Sequence, residues 1–68
     1  MRMINEEMLE DLYSKEGIIG IRTLMNDLDK LRIYLSMSEF EADRKKVKDI
    51  DNDISTILSF MVEKTFKK

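Results

Sequence analysis

Asp49, Asp51 and Asp53 stand at alternate positions in the stretch 47–55, VKDIDNDIS. Alternating carboxylates open the calcium loop of an EF-hand, which also needs a glycine at its sixth position and a bidentate carboxylate at its twelfth. Counted from Asp49, those places hold Ile54 and Phe60. Both are apolar and cannot fill those roles. Val47, Ile50, Ile54 and Ile57 keep helical spacing through the same residues. The stretch therefore reads as helix. Residues two apart on a helix lie on different faces, so successive carboxylates of the run diverge. A solvated helix face is expected here, and neither a metal nor a cofactor is expected anywhere in the chain.

Arg44, Lys45, Lys46 and Lys48 adjoin the aspartates and could contact phosphates. Glu41 precedes Lys45 by one helical turn and Asp49 follows it by one, so the cluster can neutralise itself. No aromatic side chain interleaves it, as single-strand binding would require. Twelve basic against fourteen acidic residues, a net charge of -2, point away from nucleic acid as the partner. Weak nucleic-acid binding stays an alternative.

Catalytic chemistry has little to work with. Ser14, Ser36, Ser38, Ser55 and Ser59 have no histidine to activate them, because the chain contains none. The absence of cysteine excludes disulfides and thiolate zinc sites. No glycine-rich phosphate loop appears. The expectation is that the protein is not an enzyme.

The elements that would position these side chains are helices. The 68 residues include two glycines and no proline, and 38% are charged. Such a composition favours long helices in one small domain, residues 1–68, whose thin core invites a partner. No apolar run approaches the roughly 18 residues of a membrane span. The opening MRMINEEMLED has no apolar signal core, so a cytoplasmic protein without membrane contact is expected.

Three helical stretches are legible, at about 4–15, 18–36 and 38–64. In the first, Ile4, Met8, Leu9, Leu12 and Tyr13 share a face, and Gly17 follows as a stop, with Gly20 close behind. The second carries Ile21, Leu24, Leu28, Leu31 and Leu35 at heptad spacing, widened by Ile18 and Met25. The third opens with Ser38 and Glu41 spaced as a capping box. Its seam is Phe40, Val47, Ile50, Ile54, Ile57 and Met61, interrupted by Asp43. A short loop makes the last two antiparallel, with Leu35 facing Phe40. The third helix then overshoots the second, leaving Leu58, Met61, Val62 and Phe66 for the first helix to cover. The expected fold is all-α: an antiparallel helical hairpin with a short N-terminal helix, a three-helix arrangement that self-associates.

Residues 31–61 loosely resemble the helical hairpin of the small aspartyl-phosphate phosphatases of the sporulation phosphorelay. Leu31 and Arg32 match a leucine–arginine pair early in that hairpin. With one gap allowed, Asp51-Asn52-Asp53-Ile54-Ser55 falls where the family carries S-Q-E-L-D. The family's serine and functional aspartate are missing at their places. The resemblance implies a regulator that releases phosphate from a phosphorylated response regulator, with Asn52 and Asp53 as the groups to test.

The residues themselves favour a different function. Ile33, Tyr34 and Met37 lie off the seams near the loop, and Phe60, Val62 and Phe66 lie off them near the C-terminus. Two groups of large apolar side chains on so small a chain mark association surfaces. The expectation is a non-enzymatic helical protein that binds another protein, and itself as a homo-oligomer, through these six residues. A Lys-, Asp- and Ile-rich chain of this size would suit a regulator or inhibitor from a low-GC bacterium or its phage.

Overall fold

The computed structural model describes residues 4–66. They form α1, Glu6–Ser36, and α2, Glu41–Phe66, packed against each other as a hairpin. Among the described residues there is no strand.

Asn5 starts α1. Its backbone is extended and its side-chain Oδ1 accepts the Met8 N–H at 2.9 Å. Such a cap stabilises a helix by about 1 kcal/mol. Glu6 and Glu7 in the first turn suit the positive end of the helix dipole.

One residue inside α1 leaves helical geometry. Gly17 takes φ 70° and ψ −163°, a region open only to glycine. The break expected between two helices is thus confined to a single residue within one element. Its cause is the phase of the apolar residues. Leu9 and Ile21 are both fully buried. On an unbroken helix two residues at that spacing would point about 120° apart. Turning at Gly17 lets both enter one core. Gly20, one turn further on, is buried, and a Cβ there would lie 2.6 Å from the Glu16 Cβ.

Residues 6–16, here called the arm, lie along the C-terminal half of α2. The Ile4 N–H donates to Asp53 Oδ1, the Tyr13 ring meets the Phe60 ring, and Glu10 pairs with Lys64. From Ile4 beside Asp53 to Glu10 and Tyr13 beside Lys64 and Phe60, the contacts move toward the C-terminal end of both stretches, so the arm runs in the same sense as α2. The remainder of α1 runs against α2, and Arg32 pairs with Asp51 across the hairpin.

The connection differs from its expected form. α2 begins at Glu41, because the Phe40 carbonyl accepts the first helical bonds, from the Asp43 and Arg44 N–H groups. Ser38 therefore does not form a capping box with Glu41. Its Oγ accepts the Phe40 N–H at 3.1 Å and donates to Asp43 Oδ2 at 2.8 Å. The Arg44 guanidinium closes the turn on the Ser38 carbonyl at 2.8 Å. Phe40, at the mouth of the helix, points away from the seam and is 71% exposed, not packed on Leu35.

The core gathers Ile4, Leu9, Ile21, Leu28, Ile50, Ile57 and Phe60, with Leu12, Tyr13, Ile18, Leu24, Met25, Leu35, Ile54 and Met61 packed around it. Met8 and Leu31, expected inside, are exposed. Along α2 the buried positions are Ile50, Asp53, Ile57 and Phe60. That stripe is rolled from the expected one, with Asp53 and Phe60 inward in place of Ile54 and Met61. The reason is that α2 has two neighbours. Asp53, Phe60 and Lys64 face the arm.

Candidate protein-binding surfaces

Near the loop, Ile33, Tyr34 and Met37 stand on the outer side of α1. Tyr34 is 78% and Met37 77% exposed. With Lys30 they line a shallow, open cleft of about 370 Å³. α1 can present these side chains outward because Leu28 turns into the core and Leu35 packs partly against it. The Met37 N–H caps the helix on the Ile33 and Tyr34 carbonyls, at 3.2 and 3.3 Å. The end of the helix is therefore held while its side chains stay free. Exposed Phe40 adds a large ring just beyond it.

At the other end, Val62 and Phe66 are exposed, joined by Leu58. The three are four residues apart in sequence and so fall on one face of α2. The arm, expected over Leu58, Met61, Val62 and Phe66, leaves Leu58, Val62 and Phe66 exposed. Phe60 is the one proposed contact residue that the structure removes. It is only 5% exposed, and its ring meets Tyr13 edge-on at 5.9 Å and 76°. An arm that approaches from the side of Asp53 takes Phe60 into the core and leaves Leu58, Val62 and Phe66 outside.

Where the arm meets α2, four side chains interlock. Lys64 Nζ lies 2.7 Å from Glu10 Oε1 and 5.3 and 5.2 Å from the centres of the Tyr13 and Phe60 rings. The hydrogen bond to Glu10 holds the Lys64 pKa above the ordinary lysine value, against some loss of hydration.

Asp53 corrects the expectation of a solvated aspartate face. Asp51 is exposed and pairs with Arg32, but Asp53 is fully buried. Its Oδ1 accepts the Ile4 N–H at a long 3.4 Å, and its Oδ2 has no hydrogen-bond partner. Asn52, one position back, is exposed. The two groups raised as phosphatase candidates therefore face different surroundings and do not converge on one site. Among the described residues no group of three or more His, Cys, Asp or Glu is placed to hold a metal.

The basic cluster is exposed on α2. Lys45 approaches Glu41 at 3.8 Å and Arg44 is engaged by the loop carbonyl. Among the described residues no helix is long and apolar enough to cross a membrane.

Compared with known proteins, the chain matches no family, no curated protein and no solved structure.

Proposed function

We propose that this is a non-enzymatic helical protein that acts by binding another protein, as a regulator or inhibitor, and that also associates with itself. The observation that carries the reading is the loop-end surface: Ile33, Tyr34 and Met37, three large apolar side chains exposed around a shallow cleft, with exposed Phe40 just beyond the helix. Leaving such surface in water forgoes about 25 cal/mol for each Å² that a partner would cover. Leu58, Val62 and Phe66 supply the second contact face. Within this reading the arm acts as a short third helix whose task is to finish the core, so that neither exposed face is needed for folding. A phage or mobile-element origin fits the size and composition of the chain.

Photocrosslinking tests the reading. A benzophenone amino acid placed at Tyr34, in the cell that makes the protein, should give a discrete adduct with a second protein, distinct in mass from the adduct of two copies of the chain. The same group at Lys48, on the charged face of α2, should not. The adduct should disappear with Ile33→Ser and Met37→Ser together. Equal labelling from both positions, or none from Tyr34, contradicts the assignment.

A further inference from the structure

We propose that the arm, with Ile4 ahead of it, exchanges between two copies of this chain, each closing the α2 seam of the other. The seam is a different surface from the exposed loop end. It centres on Asp53 and Phe60, with Lys64 beside them, and in one molecule its own arm covers it.

The hinge is a single residue. Gly17 alone leaves helical φ/ψ within α1, and a Cβ at Gly17 would meet nothing within 4 Å. The space around it allows the chain to swing. If Gly17 adopts helical angles, α1 becomes one continuous rod. The arm's apolar face then lies about 120° from the face that meets α2, so it cannot return to its own seam. The seam and the arm are both left open, and each complements the other on a second molecule. Every contact between arm and α2 can be rebuilt between copies, with only the Gly17 dihedrals changed. That is the low-cost condition for swapping an element.

Asp53 makes the opening step easier. In the closed form its Oδ2 is buried without a partner and its Oδ1 holds only one long bond. Opening hydrates both oxygens, which offsets part of the loss of Ile4 and Leu9 from the core. The swapped dimer reburies Asp53 in the same surroundings. Its effect therefore falls on the barrier to exchange and not on the balance between the two closed forms.

Glu10 and Lys64 provide the test, since they touch in the closed seam and the chain has no cysteine. The test uses the Tyr34→Ser, Met37→Ser background, so that association through the loop end does not contribute. One preparation carries Glu10→Cys and the other, bearing a mass tag, carries Lys64→Cys. They are mixed and oxidised with diamide. Exchange predicts that the tagged–untagged disulfide dominates over both homodimers. Adding Asp53→Leu to both should slow its appearance about tenfold. Gly17→Ala, which disfavours the closed turn, should raise the dimer fraction by light scattering. A random mixture of disulfides, or no cross-chain product while a chain carrying both cysteines closes on itself, overturns the proposal.

Discussion

Asp53 occupies a place on α2 where the burial pattern calls for an aliphatic side chain. Its unpaired Oδ2 is the clearest local cost in the molecule. Asp53→Leu should therefore stabilise the fold by about 1–3 kcal/mol, with a higher urea midpoint and an unchanged slope. A lower midpoint would mean that the carboxylate contributes more than it costs. The glycines make the opposite prediction. Gly17→Val must force a branched side chain into a turn with φ near 70°, and should cost about 1–3 kcal/mol or more. Gly20→Ala brings a methyl group against the Glu16 Cβ and should also destabilise, while Gly20→Ala combined with Glu16→Gly should recover much of the loss. None of this is visible in the aspartate spacing. A run of DxDxD at helical positions tells that successive carboxylates diverge. It does not tell which one an incoming arm will cover.

At the scale of elements, heptad spacing made the hairpin legible, and the surplus length of the last helix pointed to a short N-terminal segment over its end. What the spacing hid was the roll of α2. A helix with one neighbour shows one seam, and Ile50, Ile54, Ile57 and Met61 read as that seam. A second neighbour widens the buried stripe to include Asp53 and Phe60, and the arm that does so contacts α2 through residues far away in sequence. The spacing alone therefore puts Phe60 on a contact surface and Leu58 under the arm, and the roll exchanges the two. Phe60→Ala should cost about 3–5 kcal/mol, the range for a buried ring, whereas Phe66→Ala should change stability by less than about 0.5 kcal/mol. The joint between Lys64 and Glu10 gives a pH dependence with a definite sign. The Lys64 pKa is raised by its bond to Glu10, so its contribution is complete at neutral pH. It is lost as the pH climbs through the raised value. The difference in urea midpoint between the wild type and Lys64→Met should hold up to the ordinary lysine value of 10.5 and shrink above it. The exposed pair of Arg32 and Asp51, by contrast, should contribute no more than about 1 kcal/mol, and less in high salt.

At the scale of the whole molecule, a radius of gyration of 13.0 Å and a longest dimension of 45 Å describe a slender body with apolar groups near both ends of its hairpin. The core is completed by the arm, so the exposed rings at the loop end are surplus to folding. The account rests on their being contact surfaces, and the molar mass in solution tests that most directly. By light scattering over a concentration series, the wild-type chain should exceed its 8.1 kDa monomer mass. Tyr34→Ser with Met37→Ser should lower that mass at every concentration without lowering helicity or the urea midpoint. A wild type that stays at 8.1 kDa throughout, or a double variant whose mass is unchanged, would contradict it.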